Sequence, residues 1–120
     1  AIEVFREKAE RRVPLIHYAK GSGHLHGIIR SLDIDAVSLD WRDDLRANRE
    51  AHGDRLAFQG NLDPSRMHGS PEAATLAAQR VLDEAGQAPG HVFNLGHGFA
   101  PGAQIDCVEA VLRLITGDSA

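Results

Sequence analysis

Four short apolar segments constrain this chain more than any other feature. Each ends in a cluster of polar or turn-forming residues, and each is followed by a stretch of helical pattern. The segments are 13–19, 36–39, 55–58 and 91–95. None alternates cleanly between apolar and polar, which suits strands covered on both faces. The intervening pattern predicts a helix over 24–32 with Leu25, Ile28, Ile29 and Leu32 on one face. A second runs over 45–52, with Asp43 and Asp44 at its start. A third covers 72–85, with Ser70 as cap, Pro71 at the first position, Gly86 as stop, and Leu76, Ala77, Val81 and Leu82 as its apolar set. The last covers 103–114, with Ile105, Val108, Val111, Leu112 and Ile115 at helical spacing and 117–120 as a tail. Residues 2–12 read as the back half of one more helix, basic at its end.

Strand–helix units repeating in this way are the rhythm of parallel βα construction. Two architectures fit: a small open α/β sheet, or part of a (β/α)8 barrel. A whole barrel takes about 250 residues. This chain has 120, so its four units amount to half of one. It starts at Ala1 in what reads as mid-helix, and its one methionine is Met67. The expectation is a piece of a longer polypeptide.

Composition removes several function classes. Apolar residues are 42% and charged residues 25%, an ordinary globular balance. The net charge of -4 gives no reason to expect nucleic acid. No apolar run approaches the roughly 20 residues of a membrane span, so no membrane is expected and the cytoplasm is the default compartment. Cys107 is the only cysteine, which excludes an internal disulfide and a cysteine-rich zinc site. It falls inside the last helix, where packing is its expected role.

In both architectures ligands bind at the carboxyl ends of the strands. The residues that follow the strands are Lys20 to Gly23, then Asp40 and Trp41, then Gln59, Asn61 and Asp63, then Asn94, Gly96, His97 and Gly98. This rim holds a lysine, a glutamine, two asparagines and a histidine, with two carboxylates where Asp40 and Asp63 point inward, and such a set can bind a polar, anionic small molecule. The backbone N–H groups of Gly21 to Gly23, with Lys20, suit a carboxylate or phosphate. A glycine turn with no ligand explains the same residues, and neither a P-loop nor a GxGxxG motif is present. His97 stands between two glycines, which allow close backbone approach. Asp40 also reads as a cap, and Asn61 and Asp63 as groups satisfying their own turn. His17, His24, His26, His52, His68 and His91 show no metal-ligand spacing.

Four segments together resemble one family. Residues 16–21 (IHYAKG) are similar to its "hFaKG" strand end, and 35–41 (DAVSLDW) to its "DvvslDW" stretch. Residues 58–64 (FQGNLDP) are similar to "lQGNLDP", and 90–98 (GHVFNLGHG) to "GHIFNLGHG". The family is uroporphyrinogen decarboxylase. The resemblance implies an α/β fold, the C-terminal part (about four βα units) of a distorted (β/α)8 TIM-type barrel. Residues 1–120 would then be a partial barrel domain whose N-terminal part is absent. It implies removal of carbon dioxide from the four acetate side chains of uroporphyrinogen, giving coproporphyrinogen, with no cofactor and no metal. The implied partners are that polyanionic tetrapyrrole and, at full length, a second copy in a homodimer.

Of the family's cleft residues, the histidine of "NLGHG" carries over as His97, the candidate catalytic residue. Lys20, Asp40, Gln59, Asn61 and Asn94 match motif positions assigned to shaping the cleft. The arginine-rich loop, catalytic aspartate, and active-site tyrosine and serine of the family lie upstream of anything here. The chain departs from the family around Asp33–Ile34 and over 99–103. Corrinoid-linked methyltransferases look similar overall but use a His-x-Cys zinc element, and His17 is followed by Tyr18, Ala19 and Lys20. The expectation is that this chain does not decarboxylate unaided and that its open sheet edges promote self-association. The alternative is a stand-alone or self-assembling half-barrel that binds a tetrapyrrole or small carboxylate without turnover.

Overall fold

Strand pairing runs strictly in chain order. A computed structural model describes residues 1–118, and in it β1 (Ile16–Tyr18), β2 (Ala36–Ser38), β3 (Ala57–Gln59) and β4 (His91–Val92) form one sheet ordered β1-β2-β3-β4. Every pairing is parallel. A parallel bridge between Leu62 and Leu95 extends the last pair. An open doubly wound sheet reverses its strand order at a switch point. This one does not, and that unbroken progression is the wall of a (β/α) barrel. The last two residues of the expected tail lie outside the described residues.

The helices are α1 (Ile2–Lys8), α2 (His26–Ile29), α3 (Leu45–His52), α4 (Pro71–Ala85) and α5 (Ile105–Thr116), with short 3-10 turns at Gly23–Leu25 and Pro64–His68. Several sequence expectations need correction. The first helix stops at Lys8 rather than Arg12, because Arg12 turns to an ion pair with Asp35. The helix expected over 24–32 is a 3-10 turn plus one α turn, and Ile28 is exposed. In α4 the buried seam is Ala74, Ala78, Val81 and Ala85, and Leu76 faces out. Alanines there let α4 lie close against the neighbouring α5, whose buried seam is Cys107 and Val111, with Ile105 exposed. Apolar spacing alone missed this because the close helix contact selects small residues over large ones. The expected Ser70 cap holds, its side chain accepting from the Ala73 N–H, and Asp44, expected only as an acidic residue at the helix start, caps α3 by accepting from the Ala47 N–H.

The two faces of the sheet differ. Val37, Leu39, Leu56 and Phe58 belong to the core with Leu45, Met67 and the seams of α4 and α5. The other face carries Ile16, Tyr18 and Val92, which are 53%, 42% and 51% exposed. In a closed barrel that inner face is filled by side chains from the remaining strands. Here it is open, and β1 and β4 each have an unpaired edge. The Cα radius of gyration, 15.6 Å, exceeds the roughly 13.6 Å of a closed domain of this length.

An ionic cluster holds the opposite, amino-terminal end of the sheet. Asp35 accepts hydrogen bonds from the Leu15 N–H (2.8 Å), from Arg12 (2.8 Å) and from Arg6 (3.0 Å). Asp33 pairs with the same two arginines. The Leu15 N–H and then the Arg12 guanidinium hold the Asp35 carboxyl at about 2, below its ordinary 3.8. A depressed folded-state value means the unfolded chain binds the proton more tightly. The stabilisation is therefore complete above about pH 4 and disappears as the pH falls towards 2. Denaturation followed by circular dichroism between pH 5 and pH 2 should show this acid loss, and Asp35→Asn should flatten it.

Candidate functional site

The carboxyl ends of the strands surround a cleft of about 470 Å³ lined by Tyr18, Ser38, Gln59, Asn94 and the 95–99 loop with His97. A second cleft of about 450 Å³ lies beside it, lined by Lys20, Trp41, Asp63, Ser65 and His68. His97 and Gly98 line both. The histidine therefore stands as a partition between two openings.

Its ring is held on three sides. Tyr18 meets it edge-on with ring centroids 6.2 Å apart, and Trp41 does so at 6.0 Å. The Gly98 N–H donates to His97 Nδ1 at 2.8 Å. A backbone N–H only donates, so Nδ1 is the acceptor and the neutral ring carries its proton on Nε2. Nε2–H is then free to donate to a ligand.

Tyr18 was not singled out by sequence reasoning. Its hydroxyl donates across the sheet to the Gly96 carbonyl at 3.3 Å, linking β1 to the loop that carries His97. Burial, and then the Asp40 carboxylate, push the phenol above its ordinary value, so it remains a donor through neutral pH. The signal was available: an aromatic at the last position of the first strand points to the same face as the strand-end residues.

The other expected site residues divide into two groups. Gln59 lines the first cleft and donates from Nε2 to Ser38 Oγ at 3.1 Å, and Asn94 lines it as well. Lys20 lines the second, with Nζ 5.4 Å above the Trp41 ring. Asp40 and Asn61 do not point into either opening. They are 1% and 5% exposed. Asp40 accepts from the Gly21 N–H (3.1 Å), the Arg42 N–H (3.0 Å) and Arg42 Nε and Nη2 (3.0 and 2.8 Å). Asn61 Nδ2 donates to the carbonyls of Asp40 (3.1 Å) and Asp43 (2.6 Å). Both residues shape the cleft from behind, by fixing its loops. The Arg42 guanidinium, ahead of burial's opposing effect, holds the Asp40 carboxyl well below the usual carboxylate range.

The Gly21 turn is thus a correction. Its N–H does receive a carboxylate, but the carboxylate is that of Asp40 within the chain. Asp63 likewise caps its own turn by accepting from the Ser65 N–H at 2.9 Å. Cys107 is fully buried in α5. Among the described residues, no three or more His, Cys, Asp or Glu side chains gather as a metal site. No described helix is long and apolar enough to cross a membrane.

A family profile described as "Uroporphyrinogen decarboxylase (URO-D)" matches residues 2–117. The chain belongs to the uroporphyrinogen decarboxylase family. Among its relatives is the uroporphyrinogen decarboxylase of Coxiella burnetii, 44% identical over 96% of this chain. Those of Magnetococcus marinus and an Azoarcus species are 42% and 48% identical over 89% and 81% of it. The matched region covers only 27–32% of those relatives. The chain spans about a third of the length of the curated relatives it matches. The family's chemistry is carboxy-lyase chemistry.

Gly96 is the glycine the site depends on most. A Cβ there would lie 2.3 Å from the Trp41 N and 2.6 Å from its Cα. Backbone atoms cannot move aside as a flexible side chain does. Gly96→Ala should destabilise the fold by about 1–3 kcal/mol, the range for overpacking. It should also shift the emission of Trp41, the sole tryptophan. Equilibrium denaturation with fluorescence checks both.

Proposed function

We propose that residues 1–120 form a partial barrel domain contributing the C-terminal strand ends to a uroporphyrinogen decarboxylase, with His97 as a hydrogen-bond donor to substrate. What supports this reading is the position of His97: a free Nε2–H at the junction of two clefts, on the strand-end rim where barrel enzymes do chemistry. The substrate is the octacarboxylate tetrapyrrole uroporphyrinogen. The remaining groups come from the rest of the polypeptide. In this reading the full-length protein works in the cytoplasm as a homodimer.

The reaction calls for proton placement rather than a cofactor. A proton adds to the pyrrole ring carbon beside the one that bears the acetate, and the ring becomes cationic. The bond from the acetate methylene to its carboxylate carbon then breaks. Its electron pair forms an exocyclic double bond that neutralises the ring, and carbon dioxide leaves. A second proton converts the methylene to methyl, and the ring carbon releases the first. Each acetate thus consumes one proton and yields one carbon dioxide. His97 serves by orienting a carboxylate through Nε2–H, while Gln59 and Asn94 line the first cleft with neutral polar groups.

A hydrogen bond to a charged group is worth about 1.5–3 kcal/mol. In the polypeptide that carries this segment, His97→Ala should therefore lower kcat/KM roughly ten- to hundredfold. The isolated 120-residue chain should show no turnover. Turnover by the pure chain, abolished by His97→Ala, would overturn that second statement.

A second reading is favoured by the two unpaired sheet edges: a half-barrel that pairs with a copy of itself and binds without turnover. The intact mass of the native gene product separates the two. A mass set by 250 residues or more, as a closed barrel needs, supports the enzyme segment. A mass near 13.0 kDa supports the half-barrel.

A further inference from the structure

The two clefts on either side of His97 differ in charge. The first offers the neutral polar groups of Tyr18, Ser38, Gln59 and Asn94. The second offers the Lys20 ammonium, which lies over the Trp41 ring, together with the His68 imidazole and the Ser65 hydroxyl. Asp63 shares this rim as a carboxylate whose Oδ1 accepts from the Ser65 N–H at 2.9 Å, and it makes no ion pair with Lys20. Among the described residues Lys20 has no carboxylate within 4.0 Å, whereas Arg42, on the same indole, is bound to Asp40. Lys20 is a cation left without an anion, beside a site that handles carboxylates.

Decarboxylation gives this asymmetry a meaning, and the inference rests on the reading proposed above. The leaving carboxylate must become neutral carbon dioxide. A cation bound to it stabilises the ground state more than the transition state and raises the barrier. The reacting acetate therefore belongs in a cleft without ammonium groups. Carboxylates that stay on the substrate have no such restriction, and for them a cation adds affinity and orientation.

We propose that the groove on the Lys20 side of His97 is the subsite for a retained carboxylate of the substrate, held by Lys20 and His68. The neutral cleft on the other side receives the acetate that reacts. His97 separates the two and donates from Nε2 between them.

The test is isothermal titration calorimetry on the polypeptide that carries this segment with two probes, uroporphyrin and the small tricarboxylate tricarballylate. Lys20→Met should weaken both probes about two- to fivefold, the range for an exposed charge pair. His68→Gln should do so less, and Lys20→Arg should restore most of the affinity. Lys8→Met, on α1, should change nothing.

Uroporphyrin binding that is unchanged by Lys20→Met overturns the subsite and leaves the tetrapyrrole reading standing. Lys20-dependent binding of tricarballylate without uroporphyrin binding overturns the tetrapyrrole reading and leaves the carboxylate subsite standing. Binding of neither probe overturns the subsite.

Discussion

The buried carboxylate of Asp40 organises the functional end of this chain. It is sealed from water and surrounded by the Gly21 N–H and by three donors of Arg42. A carboxylate in that position without partners would be costly to keep charged. With them, it ties the turn after β1 to the loop after β2. Asn61, in the loop after β3, reaches back to the Asp40 and Asp43 carbonyls and adds the third strand end. The fourth joins through close packing of Gly96 on the Trp41 backbone and through Tyr18, whose hydroxyl reaches the Gly96 carbonyl. The position of His97 follows from that series of contacts. None of these anchoring side chains needs to touch a ligand.

The open inner face has the same origin in sequence. The strands are short, and Ile16, Tyr18 and Val92 present apolar or aromatic groups where a closed barrel would place the side chains of other strands. The α4–α5 pair closes the outer face with a seam of alanines, Cys107 and Val111. One face of the sheet is therefore complete and the other is available, and the available face leads up to the clefts. His97 divides the strand-end rim into an opening lined by neutral polar groups and one that carries the Lys20 ammonium and the Asp63 carboxylate.

Much of the architecture was legible in the chain. Four apolar runs, the acidic start at Asp43 and Asp44, the cap at Ser70 and the stop at Gly86 located the strands and most of the helices, because local chemistry decides those features. Helix faces were less legible. Leu76 and Ile105 counted as core by periodicity, but close packing of α4 on α5 turned the alanines inward. The site was legible as a set of positions and not as a set of roles. Asp40 and Lys20 both follow strands and both read as rim residues. Only the fold shows that Asp40 is the anion in the Gly21 turn and that, among the described residues, Lys20 makes no ion pair. Tyr18 escaped notice because its link to Gly96 spans 78 residues of sequence.

The central claim is that the Asp40 network sets His97 with Nδ1 closed by the Gly98 N–H and Nε2–H facing the clefts. Long-range 1H–15N correlation spectra of the imidazoles read this directly. Neutral His97 should be the Nε2–H tautomer, and Asp40→Asn should loosen it into a tautomer mixture. An Nδ1–H tautomer in the unsubstituted chain, or one indifferent to Asp40, would contradict the account.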